Sequence, residues 1–163
     1  MKYLKDVRTL EDLKKKYRTW ALKLHPDRGG STEEMQVLNA EYEYLFERVK
    51  DIHMNKQGET YKKHTEEKPY EFMDLLDRLL RMDGVHIEII GFFIWLSGNT
   101  KEHKTEIKSL GFKWHSDKQM WYLAPEWYVK YSRKKYTIND IRSMFGVRYE
   151  ADGVGNIRIG EER

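Results

Sequence analysis

Residues 22–34 read LKLHPDRGGSTEE, and the break they contain decides how the N-terminal part of the chain folds. Upstream, Leu10, Leu13, Tyr17, Trp20, Ala21 and Leu24 recur at the three-to-four spacing of a helix face. Thr9 is suited to cap that helix, and Glu11 and Asp12 lie in its first turn, where the dipole favours acids. Pro26 disfavours helical geometry at His25 and cannot donate a backbone hydrogen bond, so the helix must stop near Leu24, and Gly29 and Gly30 favour a loop. Ser31 and Glu34 then have the form of a capping box, with Glu34 reaching back to the cap. Met35, Leu38, Tyr42, Leu45, Phe46, Val49 and Ile52 continue at helical spacing. Two amphipathic helices joined by a short loop predict an antiparallel hairpin.

Outward from the hairpin the composition shifts. Residues 55–68, NKQGETYKKHTEEK, carry almost no apolar side chains and read as a linker. Past Pro69, the residues Phe72, Leu75, Leu76, Leu79 and Leu80 predict a helix over 70–82, which can pack on either neighbour. VHIEIIGFFIWLSG (85–98) is β-branched and aromatic, and Gly91–Phe92 is read as a hairpin turn in preference to a bulge. KEHKTEIKSL predicts a short helix capped by Asn99 or Thr100, and FKWHSDKQMWYL a second hairpin turning near Ser116–Lys118. Thr137 is placed to cap a last helix through Ile138, Ile141, Met144 and Phe145. The fold class is therefore α+β. A helical hairpin occupies 1–54, a linker 55–68, a small α+β domain 69–149 led by helix 70–82, and a loosely ordered tail 150–163.

Composition narrows the chemistry. The 163 residues include no cysteine, which removes disulfides, thiolate zinc sites and cysteine nucleophiles. The start MKYLKDVRTL lacks an apolar run long enough for a signal peptide, and IIGFFIWL is too short to span a bilayer, so a soluble cytoplasmic protein is expected. The formal net charge is +3 and unevenly spread. Residues 1–28 carry nine Lys and Arg against four acids, 29–55 two against six, and 125–148 six against two. No HExxH, Walker or dinucleotide motif occurs, and GVGNIRIG lacks the glycine spacing of a nucleotide fingerprint. The six histidines do not fall at ligand spacings. No metal, cofactor or enzymatic activity is expected; a His25–Asp27 acid–base pair has no recognisable nucleophile beside it and ranks a distant third among the readings.

The basic helix ending in LKLHPD, the Gly-Gly loop and the following helix with LNAEYEYL closely resemble the J domain of DnaJ-type co-chaperones over about residues 4–52. The Gly-Gly-Ser loop is most similar to the J domains of viral large T antigens and mitochondrial import-motor subunits. The resemblance implies that His25, Pro26 and Asp27 are the signature that docks on a DnaK-type chaperone and stimulates its ATP hydrolysis. It implies a basic docking face of Lys14, Lys15, Arg18 and Lys23, with Arg18 and Lys23 favoured. A full J domain opens with an apolar helix, whereas MKYLKDVRT offers only Tyr3, Leu4 and Val7, so that first helix is short or absent and helix 70–82 is a candidate to cover the hairpin instead.

In the second unit, Trp95, Trp114, Trp121, Tyr122, Trp127 and Tyr128 lie beside the stripe Lys101, Lys104, Lys108 and the run KYSRKKY. Basic surfaces with exposed aromatics hold single-stranded nucleic acid, while small domains also bury such rings, as expected for Trp95 and at least one of Trp114 and Trp121. Candidate contacts are Lys101, Lys104, Lys108, Trp114, Trp121, Lys130, Arg133, Lys134 and Lys135. Residues about 86–124 resemble, more weakly, modules of phage and bacterial accessory proteins similar to HARP domains, which implies nucleic-acid or protein binding. The leading expectation is a co-chaperone whose second unit selects a client or nucleoprotein complex. The alternative is a nucleic-acid-binding accessory protein, phage or mobile-element borne, with the hairpin as scaffold.

Overall fold

In the computed structural model the described residues are 1–125, 128, 135–145, 148–151 and 157–159. They form two compact units, Met1–Arg81 and Met82–Arg163. The α+β class expected from sequence is what the chain adopts.

The first unit is built on α1 (Leu10–Leu24) and α2 (Thr32–Val49), the expected hairpin. Thr9 Oγ1 accepts the amide of Asp12 and fixes the start of α1. Tyr17 and Tyr42 meet at 4.4 Å between ring centroids, and the Tyr17 hydroxyl donates to Asn39 Oδ1 at 2.8 Å. Helix α3 (Pro69–Arg81) adds Phe72, which stacks near both tyrosines, together with the buried Leu76, Leu79 and Leu80. The helix placed by sequence at the head of the second domain thus completes the core of the first. Its apolar stripe has a ready acceptor in the open side of a two-helix hairpin.

The segment read as a linker is also structured. Ile52, expected on the face of the second helix, instead opens strand β1 (Ile52–Met54), which pairs antiparallel with β2 (Thr60–Lys62) of the linker segment, with His53 opposite Tyr61. Buried His53 bridges Glu11 Oε1 at 2.9 Å and the Lys63 carbonyl at 3.0 Å, and Glu11 Oε2 accepts the Met54 amide. Polar contacts to buried partners, rather than an apolar pattern, fold this stretch.

Among the described residues, none of 1–9 is helical. The carboxylate of Glu41, buried on α2, accepts the backbone amides of Lys2, Tyr3 (3.0 Å) and Leu4 (2.8 Å), and so straps the N-terminal segment across the hairpin. Glu34, expected to close the capping box, instead accepts the Tyr3 hydroxyl at 2.9 Å. The Ser31 hydroxyl accepts the Glu34 amide and donates to Glu33.

The second unit centres on an antiparallel sheet in the order β5-β6-β4-β3-β7-β8. Strands β3 (Val85–Ile90) and β4 (Phe93–Gly98) form a hairpin around Gly91–Phe92, as expected, and β5 (Lys113–His115) and β6 (Met120–Leu123) form the other. Helix α4 (Lys104–Ser109) begins later than the Asn99 or Thr100 cap implies, after His103 and without a side-chain cap. Helix α5 (Ile138–Phe145) is capped by Thr137, which exchanges hydrogen bonds with Asp140. On one sheet face Ile90, Phe93, Trp95 and Met120 form a cluster that takes in Ile138 and Ile141 of α5. Glu88, fully buried on that face, receives Arg142 of α5 through two hydrogen bonds of 2.5 and 2.7 Å. A bidentate pair of this kind fixes the helix on the sheet. Strands β7 (Arg148–Ala151) and β8 (Ile157–Ile159) extend the sheet from β3, so the tail supplies strands where a loose segment was expected. The free edge of β3 gives this segment backbone partners that its own composition does not reveal. Among the described residues, no helix is long and apolar enough to cross a membrane.

Burial acts to raise the Glu41 pKa, but the three amides outweigh it and hold the carboxyl below its ordinary value. The contribution of Glu41 is therefore complete above the usual glutamate range near ~4.3 and is lost as pH falls through the lower folded value. Glu41→Ala is expected to destabilise the first unit by about 1–3 kcal/mol at neutral pH, the cost of leaving buried donors unmade. Glu41→Gln, which keeps an acceptor oxygen, should lose less. Urea unfolding at pH 7 and pH 3.5 checks both, and the difference between wild type and Glu41→Ala should shrink at the lower pH.

Candidate docking loop and basic surfaces

The loop that follows α1 is a closed structure. His25 ends the helix with its own amide on the Ala21 carbonyl, while its carbonyl accepts the amides of Arg28 (2.9 Å) and Gly30 (3.0 Å). Pro26–Arg28 form one 3-10 turn, and Gly29 follows at φ 84°, a left-handed conformation that glycine adopts without strain. Gly30 passes so close to Leu24 that a Cβ at that position would lie 2.0 Å from the Leu24 carbonyl oxygen. A side chain there would require the backbone to move.

Within the loop the signature residues separate into two roles. Pro26 and Asp27 are exposed. His25 is 2% exposed, with its ring inside the unit. Its Nδ1 accepts the Asp27 amide at 3.2 Å, and its Nε2 lies 2.7 Å from Asp77 Oδ1 on α3. Asp77 Oδ2 also accepts from Arg81 Nε at 2.9 Å. Burial opposes the charge on Asp77, but the hydrogen bonds from His25 and Arg81 prevail and keep its pKa low. Arg28, buried as well, donates from Nε to the Leu80 carbonyl at 3.2 Å. Both sides of the loop are therefore tied to a single turn of α3. Sequence reasoning missed Asp77 and Arg28 as parts of this site, because neither belongs to a motif and the ties span 52 residues.

The four cations proposed for the docking face are not equivalent. Lys15 is exposed, and Lys23 is half-buried with its ammonium 4.9 Å over the Trp20 ring. Lys14 forms an ion pair with Glu67 at 2.5 Å and lies over Phe72. Arg18, one of the two favoured positions, is only 5% exposed, and burial pushes its pKa down to about 9. Tyr17 and Leu22 of the same helix are also buried. Arg18 therefore cannot form part of an exposed docking surface in this conformation. The exposed set is Lys15, Pro26 and Asp27, with Lys23 half-buried.

In the second unit Lys101, Lys104 and Lys108 are exposed on and before α4. Trp114 is 46% exposed on the edge strand β5, whereas its cross-strand partner Trp121 is 6% exposed, which removes Trp121 from the candidate contacts. The two indoles meet edge to face at 5.4 Å, so Trp121 props the exposed ring. Lys113 is a further exposed cation on that strand. Lys135 is exposed and lies 3.6 Å from Asp117. Lys130, Arg133, Lys134 and Trp127 lie outside the described residues.

Compared with known proteins, the chain matches no family model, no curated protein and no solved structure.

Proposed function

We propose that the chain is a J-type co-chaperone, not itself an enzyme, that acts in the cytoplasm by docking on a DnaK-type chaperone and stimulating its ATP hydrolysis. The second unit holds the client or nucleoprotein complex to which the chaperone is brought. The observation that carries this reading is the exposed Pro26–Asp27 tip on a loop closed by backbone hydrogen bonds, which follows a helix carrying exposed Lys15 and half-buried Lys23. A carboxylate carried on a backbone held in this way can pair with a basic group on a partner without first ordering the loop, while the lysines attract an acidic surface. Such a contact acts on the hydrolytic site of the chaperone through a change in the chaperone's own conformation.

Asp27 is the appropriate residue to alter, because its side chain faces solvent whereas that of His25 is part of the core. In single-turnover ATP hydrolysis by a DnaK-type chaperone, the wild-type chain should accelerate the reaction. Asp27→Asn should need about 10- to 100-fold more protein for the same effect, the loss of one charge-assisted hydrogen bond, with an unchanged thermal melt. Equal stimulation by both proteins would contradict the reading.

A second reading stands beside the first. Trp114, propped by Trp121 and neighboured by Lys113, offers a stacking surface for an unpaired base, with Lys101, Lys104 and Lys108 available to phosphates. Single-stranded DNA should quench tryptophan fluorescence at low salt, and Trp114→Ala should weaken binding by about tenfold or more. Failure of the wild type to bind at low salt would eliminate this reading.

A further inference from the structure

We infer that Asp77 on α3 is a positioning residue of the docking loop, acting through His25 to hold the backbone that presents Asp27. The inference rests on the co-chaperone reading and adds a third helix to the element that the chaperone meets.

A neutral imidazole has one donor nitrogen and one acceptor nitrogen. His25 Nδ1 receives the Asp27 amide, so the hydrogen resides on Nε2, where Asp77 Oδ1 accepts it at 2.7 Å. The two hydrogen bonds select the same tautomer. Remove the carboxylate and the alternative tautomer, with a hydrogen on Nδ1, becomes accessible; that form turns a donor toward the Asp27 amide and releases it. Arg81 holds the second carboxylate oxygen one turn along α3, so Asp77 is itself oriented. Three residues beyond Asp77, the Leu80 carbonyl receives Arg28, which anchors the far side of the loop to the same helix. The exposed Asp27 lies between these two anchors. His25 thus serves from inside the unit, and the chaperone meets what His25 arranges rather than the imidazole itself.

If only a fraction of the molecules hold the loop in its docking geometry, apparent affinity falls by that fraction while the docked complex is unchanged. Single-turnover ATP hydrolysis by a DnaK-type chaperone, titrated with the full chain, separates these quantities. Asp77→Ala should raise the half-saturating concentration about tenfold and leave maximal stimulation intact. Asp77→Asn, whose Oδ1 still accepts from Nε2, should remain within about threefold of wild type. In imidazole 15N spectra the wild type should show a hydrogen on Nε2 of His25 and a bare Nδ1, with a mixture of tautomers in Asp77→Ala. Wild-type half-saturation in a folded Asp77→Ala chain would overturn the inference and leave the co-chaperone reading standing. A folded wild type that gives no stimulation would remove both. Should Asp77→Ala not fold, Asp77→Asn decides: loss of the Nε2 hydrogen with unchanged stimulation would overturn the inference.

Discussion

Helix α1 cannot continue through Pro26, and the chain can turn back into α2 only because Gly30 has no Cβ to strike the Leu24 carbonyl. The His25 carbonyl, released by the end of the helix, then gathers the amides of Arg28 and Gly30. This closure directs α2 along α1, brings Tyr42 onto Tyr17, and leaves an open apolar side that Phe72, Leu76, Leu79 and Leu80 of α3 fill. The same closure turns His25 inward and Asp27 outward. Structure and proposed function in the first unit therefore follow from one steric allowance.

Two carboxylates, buried Glu41 and half-buried Glu11, organise the margins of the unit. Glu41 gathers three amides of the N-terminal strap, and Glu11 joins the β1–β2 hairpin to α1 through His53 and Met54. Leu4, buried as part of the strap, contributes about 1.5–3 kcal/mol. Only a precisely oriented carboxylate makes that burial possible without leaving amides unpaired. Each anchor spans a large sequence separation, so the unit behaves as a whole rather than as a helical hairpin with appendages.

Local chemistry was legible in the sequence. Thr9, Ser31 and Thr137 cap the helices they were expected to cap, Pro26 stops α1, and both hairpins of the second unit turn where glycine or polar residues signalled. Long-range choices were not. Glu34 had the spacing of a capping box, yet Tyr3 offered a competing donor. Arg18 looks like its neighbouring lysines in a charged helix, and only the folded structure shows it buried. Trp114 and Trp121 share a sheet face and a cross-strand pair, so alternation alone assigns them the same environment. They differ because β5 is an edge strand and β6 is covered on both sides by neighbours. Residues 55–68 carry no apolar periodicity, and their order comes from His53, Asp51 and Thr65 satisfying backbone groups.

On the proposed function, a chaperone docks on the loop after α1. The most direct measurement is an amide NMR titration of the 15N-labelled chain with an ATP-bound DnaK-type chaperone. Signals of Lys15, Lys23, Asp27 and Gly29 should shift or broaden first, at concentrations that leave residues 85–123 unaffected. Perturbation confined to 85–123, or none at any residue of 15–30, would contradict it.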